Sequence, residues 1–421
     1  MLGSQDWHNN MIRGPYTLFT RIPVYLSDDG RLFADQLWCK DLELHTEYIA
    51  PFALCCPVLP LTAAPEDAIE VRSLTSNQVV SLRQDGGLKS TLSNFFPNFR
   101  AVFAAVRLSR VVHSGGAGWA FPLSFYILPL SLIFRFQWVM VIESSFWMQP
   151  VARRPSIRAW LTHHVHSVLL RACLHRADAR IFTQEAYRRY FDIEMERSLI
   201  APAVWVDEDN IISNREQLLR LAELPDDDIR ILFPARLVKD KGIDIVLEAI
   251  GYAEKLLIDT PLAEDKRITL DIIGSGPLAD VCRRFAKSHR GIIKVGFRPP
   301  LPYGAPFLNL IREYHAVLLA NRQQEQPRVI FDAFSQGVPV ISSATSGVCD
   351  IVHEGQDALL FDVENAQDLA QQIQAFSTSA DLRRSLAMNT LAAVRGRSHA
   401  SMHRLREDFL ASTLQRADQA T

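Results

Sequence analysis

The chain has 421 residues, of which 48% are hydrophobic and 22% charged, a composition typical of a globular protein with two or three domains. Its 45 lysines and arginines against 47 aspartates and glutamates give a net charge of −2, which argues against nucleic-acid binding through an overall basic charge. The six cysteines form no C-x-x-C pair, and the first 30 residues lack the apolar run of a secretory signal. We therefore expect a cytoplasmic protein with reduced thiols.

The first half begins with a predicted β-hairpin. Asp28-Asp29-Gly30 separates two short apolar runs, at 23–26 and 31–33, and Asp-Gly suits a tight turn. Hydrophobic spacing then predicts a helix over 35–48, a strand over 52–58, a helix over 101–108 and a short strand over 111–112. The last predicted strands of this half lie at 180–182 and 198–202.

The apolar stretch 119–142 requires a test as a membrane span. Pro122, Pro129, Arg135 and Gln137 interrupt it, whereas a spanning helix needs about 20 predominantly apolar residues. The sequence therefore favours a buried helix up to about residue 132 and a strand over 139–142, with a spanning helix as the alternative.

Residues 153–189 are rich in arginine, with eight arginines against Asp178 and Glu185. Apolar residues recur there at helical spacing: Ile157, Leu161, Val165, Val168 and Ala172. The pattern predicts a basic amphipathic helix, and we favour a helix packed on the first sheet with a solvated basic face. The alternative is contact with anionic lipid headgroups. The histidines at 163, 164 and 166 favour a surface cluster over a metal site.

The second half alternates short apolar runs with helical patterns. Strand-like runs occupy 229–234, 268–273, 291–295, 316–320, 338–342 and 358–361. Such alternation predicts βαβ units around a parallel sheet, which binds ligands at the carboxyl ends of its strands. A plausible linker at Ala201-Pro202-Ala203 would leave a cleft between two α/β domains, where small ligands commonly bind.

A basic loop follows the run 229–234. Arg236, Lys239 and Lys241 lie within six residues, between a strand and a helix N-terminus that favours anions. Arginine offers a planar fork for phosphate oxygens and lysine a point charge. The loop is either a clamp for a diphosphate or a solvated basic loop.

Two carboxylates flank the start of a later helix. Glu325 precedes the helix and Asp332 lies inside it, within the segment E-Q-P-R-V-I-F-D. Carboxylates accept hydrogen bonds from paired hydroxyls, so ribose and sugar hydroxyls are suitable ligands. The alternative is one acid at the helix N-terminus and one solvated acid.

Two turns rich in small residues follow strands. Gly274-Ser275-Gly276-Pro277 begins a G-x-G-x-x-A pattern, but no acid follows the next strand to hold a ribose, so we interpret it as a tight βα turn. Ser346 and Gly347 either allow backbone N–H groups to approach an anion or form a simple turn.

Together and in this order, R-L-x-x-x-K-G at 236–242, G-S-G-P at 274–277, the Glu…Asp segment, G-V-P-V-I at 337–341 and the S-G-V turn resemble retaining glycosyltransferases of the GT-B fold, family 4 type. The resemblance covers 229–376. It implies that Arg236 and Lys241 bind the donor diphosphate, that Asp332 holds the ribose, and that Glu325 faces the transferred sugar. The other substrate-binding residues that it implies are Gly274, Gly276, Ser346, Gly347 and Arg328. Relatives usually carry two glutamates separated by seven residues, E-x7-E. Here Glu325 and Asp332 are separated by six residues, or Gln324 stands in place of the first glutamate.

The first half is also similar to bacterial polysaccharide glycosyltransferases, in the segments 25–31, 37–45 and E-S-S-F-W at 143–147. Relatives carry a histidine near the reacting sugar after a strand, which implies such a role for His113. Glu143, at the end of an apolar run, is a second candidate. A structural histidine and a buried acid are the alternatives.

The resemblance implies an α/β protein of GT-B fold, with two Rossmann-like domains whose parallel sheets face across a cleft. We expect domains at 1–203 and 204–394, with a helix at about 395–421 that packs back on the first. The implied function is transfer of a sugar, with retention, from a nucleotide-diphosphate donor to a carbohydrate or lipid-linked acceptor in polysaccharide biosynthesis. We expect neither metal nor cofactor, and peripheral contact with the inner membrane face stays open. The alternatives are a GT-B epimerase or phosphorylase, and a non-catalytic sugar-binding or nucleotide-binding protein.

Overall fold

A computed structural model of the chain describes residues 11–118, 120–144, 148, 157–258 and 266–419. The chain divides into two compact units. Among the described residues, the first unit comprises 11–144, 157–202 and 400–419, and the second comprises 148 and 203–399.

A ten-stranded sheet forms the centre of the first unit. Its strands are β1 (Ile12–Phe19), β2 (Val24–Leu26), β3 (Leu32–Asp35), β4 (Ile49–Pro60), β5 (Ala68–Glu70), β6 (Val79–Leu82), β7 (Val111–Gly115), β8 (Gln137–Ile142), β9 (Ala179–Phe182) and β10 (Ser198–Ile200). The order is β10-β9-β8-β7-β1-β4-β2-β3-β5, and β6 pairs with β4. The pairs from β10 to β2 are parallel, whereas β2–β3 and β3–β5 are antiparallel. The predicted hairpin is therefore confirmed.

Six α-helices precede residue 200 in the described part of the first unit. They are α1 (Gln36–Tyr48), α2 (Leu88–Ser93), α3 (Phe95–Leu108), α4 (Leu123–Leu130), α5 (Ile157–Arg176) and α6 (Glu185–Phe191). The Asp35 side chain caps α1 by accepting a hydrogen bond from the Trp38 backbone N–H at 3.0 Å. The start of this helix thus depends on a residue type that favours the N-cap position.

The apolar stretch 119–142 folds as predicted over the residues that the structure describes. The helix α4 buries most of its side chains, and β8 is buried from Trp138 to Ile142. Trp119 itself lies outside the described residues. None of the described helices is both long enough and apolar enough to cross a bilayer.

The arginine-rich stretch 153–189 does not form one basic helix, because the strand predicted at 180–182 is confirmed and interrupts it. The helix α5 ends at Arg176, the chain enters the buried strand β9, and α6 follows. Arg180 lies on that strand, where its Nε donates to the Leu174 carbonyl at 2.6 Å. Arg153 and Arg154 lie outside the described residues.

The predicted packing face of α5 is also wrong. The helix buries His166, Leu170, Cys173 and Leu174, whereas Leu161, Val165 and Val168 of the predicted apolar stripe are exposed. Hydrophobic spacing shows which residues share a face, but not which face meets the sheet.

A six-stranded parallel sheet forms the second unit, as the alternating pattern predicts. Its strands are β11 (Asp228–Pro234), β12 (Arg267–Ile273), β13 (Ile293–Arg298), β14 (Ala316–Leu319), β15 (Val340–Ser343) and β16 (Ala358–Phe361). The order is β13-β12-β11-β14-β15-β16. The chain moves outward from β11 to β13 and then returns to the other side of β11, so the strand order reverses between β11 and β14. Ligands of doubly wound sheets bind at such a point, beyond the carboxyl ends of the strands.

Helices cover this sheet. They are α7 (Asn214–Glu223), α8 (Ile243–Ile258), α9 (Ala279–Ser288), α10 (Ala305–Arg312), α11 (Val329–Ser335), α12 (Ser346–Cys349), α13 (Ala366–Thr378) and α14 (Ala380–Val394). The strands contribute almost wholly buried runs such as Ala316–Leu319, which is typical of a sheet covered on both faces.

The last helix, α15 (His399–Gln419), packs on the first unit from residue 400 onward. His403 Nε2 lies 3.0 Å from Asp41 Oδ1 of α1. Gln137 Nε2 of β8 donates to the Leu414 carbonyl at 2.7 Å. The chain therefore leaves the first unit after residue 202 and returns to it at its C-terminal end.

Candidate active site

The basic loop after β11 lies directly on the glycine turn after β12. The Leu237 N–H donates to the Ser275 carbonyl at 2.8 Å, and the Leu278 N–H donates to the Leu237 carbonyl at 3.0 Å. A Cβ atom on Gly274 would lie 1.9 Å from the Ala235 carbonyl oxygen. The glycine is therefore required by the close approach of two backbones, which agrees with a tight βα turn.

Lys241 at the end of the loop contacts Glu325, which lies after β14. Lys241 Nζ donates to Glu325 Oε1, and Asn321 Nδ2 donates to the same oxygen at 3.3 Å. Gly242 has a φ of 69°, and a Cβ atom there would lie 2.0 Å from the Ala320 carbonyl oxygen. The loops after β11 and β14 are thus held together where the strand order reverses.

Arg322 fixes the backbone of the basic loop. Its guanidinium pairs with Asp244 at 2.8 and 2.9 Å and with Glu364 at 2.6 Å, and it donates to the Lys239 carbonyl. Its backbone N–H donates to the Asp240 carbonyl at 2.9 Å. Because two carboxylates neutralise Arg322, it positions the loop rather than offering a free charge.

Arg236 is an exposed cation of the basic loop. Its side chain faces solvent and forms no ion pair with any residue in the described part of the chain. Lys241 lies a few residues further along and is half-buried. A guanidinium and an ammonium at the carboxyl edge of a parallel sheet can together bind an anion with several oxygens, such as a diphosphate.

The segment at 324–325 also contacts the S-G-V turn. Gln324 Oε1 accepts a hydrogen bond from the Ser346 backbone N–H at 2.8 Å, and Thr345 Oγ1 donates to the Glu325 carbonyl at 3.4 Å. Gly347 is buried beside them. The Ser346 N–H is therefore already satisfied by a side chain of the protein.

Asp332 has a different partner. It is almost fully buried on α11, where its Oδ1 accepts from the Tyr303 hydroxyl at 2.8 Å. Burial raises the pKa of Asp332 to about 7, while the Tyr303 hydrogen bond and the charge of Arg328 lower it. The exposed guanidinium of Arg328 lies 5.0 Å from the Trp205 ring centroid. The structure therefore places Asp332 against Tyr303 and Arg328 against Trp205.

His113 lies in the first unit, on β7. Its Nδ1 is 2.8 Å from the Tyr16 hydroxyl, and burial lowers its pKa well below the usual range, with the nearby His45 as a second cause. Burial likewise raises the pKa of Tyr16, so the phenol keeps its proton and can donate. With Tyr16 donating to Nδ1, the neutral imidazole carries its proton on Nε2 and can donate there.

Glu143 follows β8, the neighbouring strand. It is exposed, so the alternative of a buried acid is wrong. Its Oε1 lies 3.8 Å from the position of a Cβ atom on Gly115, at the end of β7. Glu143 thus directly follows β8, whereas His113 lies inside the adjacent strand β7 and not after a strand as predicted. Ser145, Phe146 and Trp147 lie outside the described residues.

One group of residues in the described part of the chain could hold a metal ion: Asp41, His45 and His403, whose ligand atoms lie within 4.8 Å of one another. The two ring nitrogens of His403 already bond to Asp41 Oδ1 and, at 3.3 Å, to the Tyr48 hydroxyl. Burial lowers the pKa of His403 to about 3. This group forms a hydrogen-bonded connection between α15 and α1, and it differs from the residues expected to bind substrate.

Sequence reasoning missed four positioning residues: Tyr16, Tyr303 as a partner of Asp332, Asn321 and Arg322. Asn321 and Arg322 lie two and three residues after the end of β14, so the rule that ligand sites lie beyond strand ends could have identified them. Tyr16 contacts His113 from 97 residues away, and no local pattern signals that pairing.

Residues 214–392 match the family model of glycosyl transferases group 1. An uncharacterized glycosyltransferase of Methanocaldococcus jannaschii is 25% identical over 159 residues, which cover 38% of this chain and 41% of the relative. The chain spans less than half the length of the curated relatives that it matches.

Two solved structures are similar over nearly the whole chain. Sucrose-phosphate synthase from Thermosynechococcus elongatus has a TM-score of 0.66 at 19% identity, covering 96% of this chain and 100% of that chain. Anabaena HepE in complex with UDP has a TM-score of 0.62 at 15% identity, covering 94% and 100%. These likenesses confirm the predicted fold of two Rossmann-like domains with parallel sheets. The chain therefore has the GT-B fold, and its residues 214–392, less than half of the chain, are similar to the glycosyl transferases group 1 family.

Proposed function

We propose that the chain is a glycosyltransferase that moves a sugar from a nucleotide-diphosphate donor to a carbohydrate or lipid-linked acceptor. The observation that carries this proposal is the arrangement of Arg236, Lys241 and Glu325 where the strand order of the second sheet reverses. The family match over 214–392 and the GT-B fold support it.

The proposed chemistry follows from the charge of the leaving group. When the glycosidic bond of the donor breaks, negative charge accumulates on the diphosphate. Arg236, Lys241 and the N-terminus of the 16-residue helix α8 are positive groups that stabilise such charge. This chemistry needs no metal ion, and we propose a metal-independent reaction.

Glu325 and Asp332 are the proposed acceptors for substrate hydroxyls. Lys241 and Asn321 hold the Glu325 carboxylate in place, which suits a contact with the transferred sugar. Asp332, together with Arg328, is the proposed contact for the ribose, and ribose binding would require Tyr303 to share the Asp332 carboxylate. In the first unit, the proton on His113 Nε2 is the proposed donor to a sugar hydroxyl, with Glu143 as a further substrate contact.

Retention of configuration and a role in polysaccharide biosynthesis are the finer parts of the proposal. Both rest on the resemblance of the motifs to retaining polysaccharide glycosyltransferases. Since the motifs give no carboxylate nucleophile, we propose front-face transfer. HepE has been solved with UDP-glucose, which makes uridine donors the first to test.

The test is a screen of the full chain with uridine and guanosine diphosphate sugars and oligosaccharide acceptors, followed by mass spectrometry of the products. We expect one donor class to give an acceptor that is heavier by one sugar. The product of the Arg236→Ala, Lys241→Ala variant should fall below detection. If no nucleotide sugar is consumed in transfer or hydrolysis, the proposed activity is wrong.

A further inference from the structure

The outer surface of α5 carries exposed apolar side chains. Trp160, Leu161, Val165 and Val168 are between 46% and 67% exposed, and Ile157 is 87% exposed. These positions recur every three or four residues, so they share one side of the helix. Single exposed apolar residues are normal on a protein surface, whereas a contiguous set on one helix indicates an interaction site.

The same kind of surface continues on the neighbouring helices. Contacts of α4 with both α3 and α5 place the three helices in one layer on the first sheet; we call them, with Leu132 and Ile133 after α4, the helical layer. Phe96, Leu108, Leu132 and Ile133 are each at least 70% exposed. The exposed apolar side chains of the first unit are therefore concentrated on this layer.

The helical layer also has a strong charge bias. Residues 86–177, which contain the layer, hold ten lysines and arginines but only one acid, Glu143, whereas the whole chain has 45 lysines and arginines against 47 aspartates and glutamates. Five exposed arginines belong to the layer or adjoin it: Arg100, Arg107, Arg135, Arg171 and Arg176. None of the five forms an ion pair with a residue that the structure describes. Arg171 and Arg176 donate to the backbone carbonyls of Phe191 and Ser131, which are neutral, so these charges are not compensated by acids.

We propose that the helical layer docks on the surface of a bilayer that contains anionic phospholipids. The apolar side chains enter the boundary between headgroups and acyl chains, while the arginines pair with lipid phosphates. The Trp160 ring lies against His164, with centroids 4.1 Å apart and planes tilted by 36°, and its amphipathic ring suits this boundary. The proposal concerns a partner of the first unit and is independent of the donor chemistry proposed for the second.

The charge of the layer argues against a second copy of the chain as the partner. A two-fold dimer through this surface would place the same arginines against one another, with almost no acids between them. Like charges across an interface are unfavourable, whereas an anionic bilayer supplies the complementary charge.

The test is flotation of the full chain with vesicles of phosphatidylcholine and phosphatidylglycerol in equal parts, and with phosphatidylcholine alone. We expect flotation with the anionic vesicles only, and weaker binding at high salt because salt screens the arginines. The Arg100→Ser, Arg107→Ser variant should bind about thirtyfold more weakly, since two surface cations are lost.

A second variant tests the apolar contribution against a matched control. Val165→Glu, Val168→Glu should weaken binding by about tenfold or more. Leu218→Glu, Leu219→Glu makes the same change on α7 of the second unit, where both residues are more than half exposed, and should bind within about twofold of the wild type. Equal melting temperatures would show that the variants fold.

Three results would overturn the proposal. The wild-type chain could remain in the lipid-free fraction with anionic vesicles. The Val165→Glu, Val168→Glu variant could float as well as the wild type. Light scattering without lipid could show a dimer that this variant dissociates, in which case the layer is covered by a second copy.

Discussion

Lys241 Nζ donates a hydrogen bond to Glu325 Oε1, which joins the loop after β11 to the loop after β14. The two residues are 84 positions apart in the chain, and they meet where the strand order of the second sheet reverses. One cation of the proposed diphosphate site and the carboxylate proposed to face the sugar are therefore a single coupled pair. A substitution of either residue should therefore remove the hydrogen-bond partner of the other.

The Glu325→Gln variant should affect nucleotide binding and catalytic turnover differently. The variant keeps the size of the side chain and removes the negative charge opposite Lys241. We expect the affinity for nucleoside diphosphate to stay the same or rise, because Lys241 no longer has a carboxylate partner. Turnover should fall by about a hundredfold, the scale on which one transition-state contact acts.

Steady-state kinetics and calorimetry of the same preparations check this prediction. Glu313→Gln, an exposed acid of the same unit, is the control and should leave both quantities unchanged. Loss of nucleotide affinity with full turnover would contradict the assigned role of Glu325.

Gly242 and Gly251 provide a matched pair for the backbone requirement of the basic loop. Gly242→Ala should destabilise the second unit by more than about 2 kcal/mol, because its positive φ disfavours a side chain and the new Cβ would meet the Ala320 carbonyl. Gly251 lies on the surface of α8 with open space around it, so Gly251→Ala should stabilise by about 0.5 to 1 kcal/mol. Urea denaturation of both variants measures the two effects, and shifts of the same sign would refute this explanation.

Asp332 should make stability depend on pH. Its folded pKa of about 7 lies above the ordinary value of 3.8, so between these values the folded chain holds a proton that the unfolded chain has lost. The free energy of unfolding therefore decreases as the pH rises through this window and levels off above about 7. Asp332→Asn cannot ionise, so its stability relative to the wild type should increase over the same window by a few kcal/mol. Thermal melts across this pH range check the prediction, and a constant difference would contradict it.

His403 should change the free energy of unfolding with pH in the opposite direction, under acidic conditions. Its folded pKa of about 3 lies below the ordinary value of 6.5, so between these values the unfolded chain binds a proton that the folded chain does not. The free energy of unfolding therefore decreases as the pH is lowered through this window. His403→Gln should reduce the slope of that decrease by about one proton. Denaturation curves in this range measure the slope, and an unchanged slope would show that His403 is accessible to protons when folded.

The sequence was most informative for the second unit. Its strands are short runs buried on both faces, and helical patterns separate them, so the parallel sheet and the position of the basic loop could be predicted. The glycines at 274 and 276 also indicated a tight turn, because only glycine tolerates the backbone approach found there.

Two kinds of feature could not be predicted. The Lys241–Glu325 and Tyr16–His113 contacts join residues that are far apart in the chain, and only the complete fold brings them together. The predicted packing of α5 was wrong for another reason. The spacing showed an apolar face, but a helix can direct such a face toward a partner outside the protein. The prediction placed that stripe against the sheet, whereas His166, Leu170 and Cys173 occupy that position.

The most direct measurement is calorimetric titration of the full chain with UDP and GDP, for the wild type and for the Arg236→Ala, Lys241→Ala variant. Lys294→Ala, an exposed cation on β13, is the control. We predict saturable binding of at least one nucleotide by the wild type and the control. Affinity should be at least about a hundredfold lower in the double variant, because two charge-assisted contacts to the diphosphate are lost. Equal affinity in the double variant, or binding of neither nucleotide by the wild type, would contradict the assignment of this site.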